Sequence, residues 1–216
     1  MRPGRPSRPV SPGSWTGTGT ITVWTDAVLS EAYLNLPNAR VPLLGFAAYS
    51  GTGKTTLLKQ LIPLLKSEGL RVGLIKHAHH EADVDQPGKD SHALRLAGAS
   101  PVMLSTSRRR AIIMEHESPR DPVLDEELRH LDQCALDLLL VEGFKREGFP
   151  KIELHRTGLG HALIYPNDTQ VIAIAVDEVL DPPPPIPCFD INQPRQLLDF
   201  ILTRFLPDAR SALVLR

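Results

Sequence analysis

A chain of 216 residues has room for about one domain and a tail, and 42% hydrophobic against 23% charged residues is an ordinary globular mix that excludes wholesale disorder. With 24 Lys plus Arg against 25 Asp plus Glu, the formal net charge is −1, so no global field recruits nucleic acid or an anionic membrane, and anion binding must be local. Cys134 and Cys188 form no CxxC pair, which argues against a zinc knuckle or disulfide framework and fits a reducing cytoplasm; no apolar run approaches the roughly 20 residues that span a bilayer.

Residues 1–20 are mostly turn formers, and 21–40, with a weakly signalled helix from about Asp26 to Leu34, are too short for a core of their own. The expectation is a flexible N-terminal extension over 1–40. From Val41 short apolar runs alternate with amphipathic stretches. A strand over Leu43–Ala48 precedes a glycine-rich turn and a helix over about Lys54–Ser67, which Pro63 should kink and Gly69 should end. A strand over Leu70–Lys76, a polar loop (77–88) and a helix at about Asp90–Ala97 come next. Strands at 101–105 and 111–114 and a helix near 124–133 lead to the most apolar strand, Leu136–Val141. Strands follow at 152–155 and 171–176, then a tetraproline spacer (182–185) and a closing helix over Gln196–Leu206. This alternation predicts an α/β fold over 41–206, a doubly wound, mostly parallel sheet with helices on both faces, and a C-terminal tail over 207–216.

The segment Ala48–Thr56, AYSGTGKTT, lies between an apolar strand and an amphipathic helix, the context a phosphate-binding P-loop requires. Its backbone N–H groups and the helix N-terminus would cradle phosphates, so the candidate binding residues are Gly51, Thr52, Gly53, Lys54, Thr55 and Thr56. Glycine at 51 and 53 allows positive φ, Lys54 reaches the β and γ phosphates, and the Thr55 hydroxyl faces Mg²⁺. Ala48 stands where the pattern has its first glycine.

A second acid must hold the Mg²⁺ shell, and the run from Asp137 to Glu142 offers two, roughly 16 Å apart along a strand. Ligands gather at carboxyl ends of parallel strands, so Glu142 is the metal candidate and Asp137 the structural acid. Lys76, His77, His79 and His80 end the second strand, and three readings stay open for them: phosphate or substrate contact, a solvated loop, or a transition-metal site. Asp90 reads more readily as a helix N-cap than as a catalyst, Arg108–Arg110 as a solvated face, and both cysteines as inert core.

The stretches PLLGFAAYSGTGKTTLLKQLIP, GLIKHAHHEADVDQPGKDSHALRLAGA, and LDLLLVEGFK followed by PKIEL together resemble the molybdopterin-guanine dinucleotide biosynthesis adapter family, MobB, from about Val41 to Leu206. Ala48 in place of glycine is similar to that family too. The resemblance implies a GTP-binding P-loop NTPase fold, a homodimer, and an accessory role beside MobA, the guanylyltransferase that joins GMP to molybdopterin. It carries the phosphate site onto Gly51, Gly53, Lys54, Thr55 and Thr56, and it also covers Lys76, His77, Asp90 and Glu142. Guanine preference comes from the resemblance alone, because no NKxD signature is present; Asp177 is the candidate to meet the base. No catalytic residue or water-positioning group can be assigned, so a weak GTPase is expected. The alternatives are a metal-insertion GTPase using His77, His79 and His80, a small P-loop metabolite kinase, and an interaction module with a structural nucleotide.

Overall fold

The computed structural model describes residues 29, 31, 33–78, 85 and 87–214. They form two compact units, one made of the chain up to Lys76 and from Leu124 onward, the other of His77–Val123, so the domain expected over 41–206 carries an insertion.

In the first unit β1 (Leu43–Ala48), β5 (Leu138–Glu142), β6 (Lys151–His155) and β7 (Val171–Val176) are buried at nearly every position. The near-continuous apolar runs of β1, β5 and β7 belong to parallel strands covered on both faces, whereas β6 buries Lys151, Glu153 and His155 as well. With β2 (Val72–Lys76) and β8 (Cys188–Asp190) they make one six-stranded parallel sheet in the order β2-β5-β1-β6-β7-β8. The chain leaves β1 toward β2 and β5 on one side and continues through β6 on the other. The carboxyl end of β1 is therefore a switch point, where ligands of such sheets bind.

Helix α1 (Lys54–Ser67) packs Leu57, Leu58, Leu61 and Leu65 into the core and runs unbroken through Pro63. It ends as expected: Gly69 takes φ 83°, its N–H reaches the Lys66 carbonyl, and the Leu70 N–H reaches back to Leu65. The helix expected near 124–133 is broken into α3 (Leu124–Glu127) and two 3₁₀ turns. The reason is Gln133, which turns inward to receive the Arg40 N–H and donate to the carbonyls of Asn38 and Leu128. The same turn leaves Cys134 exposed rather than in the core; Cys188 is half-buried, and burial pushes its thiol up to about 11.

Both expected chain ends need correction. The N-terminal residues 1–28 lie outside the described residues, as does the start of the 26–34 helix, yet Leu29, Tyr33, Leu36 and Ala39 belong to the core. The Leu43 N–H donates to the buried Tyr33 hydroxyl at 3.1 Å, pinning this segment to the start of β1. A boundary at residue 40 thus cuts through packed structure. At the other end α4 (Pro194–Phe200) continues through a five-residue π-helical turn, Ile201–Phe205, into α5 (Leu206–Val214). The widened turn stands just before Pro207, which has no N–H to give a regular helix. Leu206, Ala209 and Ala212 are buried, so 207–214 is helix rather than tail.

In the second unit α2 (Asp90–Leu96) is followed by the antiparallel pair β3 (Val102–Ser105) and β4 (Arg110–Ile113). Lys89 is the N-cap, and Asp90 is the first helical residue, where its charge suits the helix dipole. Among this unit's described residues only Asp85 is buried. Ser91 donates to it at 3.1 Å, and the Arg95 guanidinium stands 3.8 Å away. Arg108–Arg110 lie exposed at the hairpin turn, as a solvated face should.

Leu29→Ala should destabilise the protein by about 2–5 kcal/mol, the usual cost of emptying a filled core position. Chemical denaturation checks this, and a loss within experimental error would return residues 29–39 to a loose extension.

Candidate functional site

The cradle follows directly from β1. Gly51 and Gly53 adopt φ 80° and 96°, as the sequence predicts, and Gly53 is the left-handed N-cap of α1. A Cβ on Gly51 would meet nothing within 4 Å, so there the need for glycine is conformational rather than steric. The Thr52 side chain does not face the cradle. It is buried, and its hydroxyl donates to the Tyr49 carbonyl at 2.8 Å, bracing the turn from inside. Thr55 and Thr56 are exposed on the first turn of α1.

Glu142 ends β5 in register with Phe46 of β1 and Lys76 of β2. One of its oxygens, Oε1, lies 3.4 Å from Lys54 Nζ and 3.4 Å from Lys76 Nζ. The structure thus brings Lys54, Lys76 and Glu142 together beside the cradle. Two ammonium groups on one carboxylate leave a net positive site at a helix N-terminus, the electrostatics an anion needs. Thr55 Oγ1 and the Glu142 carboxylate are hard oxygen donors, the type Mg²⁺ takes alongside phosphate oxygens and water. His77 and Asp90 belong to the second unit, and His79 and His80 lie outside the described residues. No cluster of three metal-ligating side chains occurs among the described residues.

Sequence reasoning singled out Asp177 near the turn but missed the other side chains that surround it. Arg156, just after β6, donates from Nε to the Thr52 carbonyl at 2.9 Å, and its NH1 lies 3.3 Å from Asp177 Oδ2. Asp177 also receives the Thr157 N–H at 3.1 Å, so protein donors hold its carboxylate beside the cradle. Tyr49 stacks on His161 with ring centroids 4.3 Å apart, and Lys145 Nζ stands 5.9 Å over the same ring. The loop carrying His161 is anchored by the buried Glu153 carboxylate, which accepts the Ile164 and Tyr165 N–H groups at 2.8 Å. Burial pushes that carboxyl up, against the two hydrogen bonds. The available signal for Asp177 was its position immediately after the apolar strand β7; Arg156 follows the mixed strand β6, Lys-Ile-Glu-Leu-His, and had no such signal.

A buried parallel strand, a left-handed glycine turn, a helix N-terminus with its lysine and an acid on the neighbouring strand define a P-loop protein of the α/β class. The family model for molybdopterin guanine dinucleotide synthesis protein B, MobB, matches residues 43–177. The chain belongs to the MobB family. It is 47% identical over 165 residues to the molybdopterin-guanine dinucleotide biosynthesis adapter protein of Escherichia coli K12, covering 75% of this chain and 92% of that one. The adapter protein of Haemophilus influenzae is 44% identical, covering 76% of this chain and 89% of its own. Among solved structures, Bacillus subtilis MobB aligns with TM-score 0.59 at 22% identity, over 76% of this chain and 98% of that one. A MobB homologue from Bacillus stearothermophilus gives 0.54 at 24%, over 78% and 98%. At these identities the two structures speak for the fold.

Asp137 lies at the opposite end of β5, where Arg71 binds it with its backbone N–H, Nε and NH2 at 2.9, 2.9 and 3.0 Å. These bonds hold its carboxyl down at about 2. The folded-state value lies below the unfolded value near 4, so the pair's stabilisation is present above about pH 4 and is lost as pH falls toward about 2. Asp137→Asn should therefore lower the urea midpoint slightly at pH 7, since the pair is largely exposed and screened. The gap from wild type should close between about pH 4 and about pH 2. A gap unchanged across that window would contradict the assignment.

Proposed function

We propose that this chain binds GTP with Mg²⁺ and acts as an adapter in the assembly of molybdopterin guanine dinucleotide, serving a guanylyltransferase of the MobA type. The observation that carries this reading is the 47% identity to a protein named as that adapter over 92% of its length. The cradle supports the nucleotide part. In this reading Gly51 and Gly53 turn the backbone so that N–H groups face the phosphates, and Lys54 leaves Glu142 for the β and γ oxygens. Glu142, with Lys76 still beside it, then serves the Mg²⁺ shell together with Thr55. Bound there, Mg²⁺ would supply charge neutralisation to the phosphates. Guanine preference rests on the family rather than on a base-reading residue.

Hydrolysis in this reading is slow, about 10⁻⁴ to 10⁻² per second, because no side chain is assigned to orient an attacking water. The protein holds nucleotide, and molybdopterin with it, for a partner in the cytoplasm. No helix of the described residues is long and apolar enough to cross a membrane.

A homodimer belongs to the same proposal. The hairpin of the second unit leaves Met103 57% and Ile112 52% exposed on one face and Leu104 40% exposed on the other, with Leu96 of α2 70% exposed. A two-stranded sheet is marginal by itself, and a second copy of the chain would cover these side chains.

Reconstitution tests the reading. Lys54→Ala should lower GTP affinity at least about a hundredfold while the fold persists, as expected when a charge-assisted contact to phosphate is lost. Glu142→Gln should weaken binding more with Mg²⁺ than in a chelator. Adding the wild-type chain to guanylyltransferase, GTP and molybdopterin should raise the yield of dinucleotide cofactor, and Lys54→Ala should remove the gain. An unchanged yield, or GTP affinity within about threefold of wild type in Lys54→Ala, would sink the proposal. A monomer in sedimentation at micromolar concentration would remove the dimer from it.

A further inference from the structure

One arginine and one acid stand just beyond the carboxyl ends of adjacent strands. β6 pairs with β1 through Ala48 and Leu154, and with β7 through His155 and Val176. Arg156 and Asp177 are therefore the first residues past two neighbouring strand ends, on the far side of β1 from Glu142. The Arg156 guanidinium lies against the turn. Its NH2 and Nε are 3.6 and 3.8 Å from where a Cβ of Gly53 would stand, and Nε holds the Thr52 carbonyl at 2.9 Å. The Asp177 carboxylate steadies NH1 at 3.3 Å and is itself fixed by the Thr157 N–H at 3.1 Å.

A planar trans peptide points its C=O and N–H in opposite directions. Holding the Thr52 oxygen toward Arg156 therefore directs the Gly53 N–H to the other side of the turn. Gly53 is the N-cap of α1, where backbone donors have no intrahelical partner and receive anions. Left-handed glycine has little intrinsic preference to keep this peptide plane, so an external tie is needed to preorganise it. Arginine suits the task because its rigid fork can bond a carbonyl and a carboxylate at once, which a lysine ammonium on its flexible stem does poorly.

We propose that Arg156, steadied by Asp177, is a positioning residue that locks the Thr52–Gly53 peptide so that the Gly53 N–H is presented to a bound phosphate. The nucleotide part of this inference rests on the reading given under Proposed function; the peptide lock itself does not. Two readouts separate them. In the nucleotide-free chain, Arg156→Gln should shift the Gly53 amide resonance and speed its hydrogen exchange, with the core amides of β1 and β7 unchanged. With Mg²⁺ present, the same variant should bind GTP about tenfold more weakly, the scale of one charge-assisted hydrogen bond. Arg156→Lys should recover part of both effects. Asp177→Asn should reproduce them in weaker form and add less than its full effect when combined with Arg156→Gln.

A wild-type chain that binds no GTP would defeat the nucleotide reading while leaving the amide readout to decide the lock. An unmoved Gly53 amide in both Arg156→Gln and Asp177→Asn overturns the inference, even if affinity falls. Affinity loss that steepens at low salt with that amide unmoved would assign Arg156 to direct contact with the phosphate charge instead. If Arg156→Gln fails to fold, Asp177→Asn carries the same test.

Discussion

One carboxylate oxygen joins the two strands and the helix on which the site stands. Glu142 Oε1 meets Lys54 from the start of α1 and Lys76 from the end of β2, each at 3.4 Å. That meeting is possible only because β2, β5 and β1 are parallel and in a register that sets Lys76, Glu142 and Phe46 side by side. A slip of one residue in β5 would turn the carboxylate to the other face of the sheet and bring Val141 to its place. The charges that bound β5 oppose such a slip, since it would draw Asp137 or Glu142 into the interior that Leu138 to Val141 fill. The core thus sets the geometry of the polar site, and the site in turn holds Lys54 where a phosphate can claim it.

Around that center the two sides of β1 are arranged differently. Toward β5 stand charges that a bound phosphate and metal would rearrange: Lys54, Lys76 and Glu142. Toward β6 stands a hydrogen-bonded tie, from Thr52 through Arg156 to Asp177, that braces the loop itself. The Tyr49–His161 stack and the Glu153 anchor continue the bracing into the loop after β6. A glycine-rich turn can take many conformations, and these contacts select one of them.

Much of this was legible in sequence. The strands Leu43–Ala48 and Val171–Val176 and the helix Lys54–Ser67 read cleanly because apolar periodicity and glycine punctuation agree there. The strand-end argument also separated Glu142 from Asp137 correctly in space. What was illegible depended on partners distant in the chain. Tyr33 looks dispensable until the N–H of Leu43 meets its hydroxyl, and Gln133 looks helical until it is seen bonding Asn38 and Arg40. The last helix, expected to end at Leu206, instead widens by one π turn and continues. Arg156 carries no local signature at all; only the pairing of β6 with β1 brings it to the cradle. Thr52 lies inside the motif, yet its hydroxyl faces inward, since a pattern specifies residue types and not the direction of each side chain.

The central claim is that the turn after β1 receives the phosphates of GTP. Amide hydrogen exchange of the intact chain with and without GTP and Mg²⁺ measures that most directly, residue by residue. The account predicts protection concentrated at the backbone N–H groups of Gly51 to Thr56, with little change in the strands that are already buried. Protection that falls elsewhere and leaves Gly51 to Thr56 exchanging as in the free chain would contradict it.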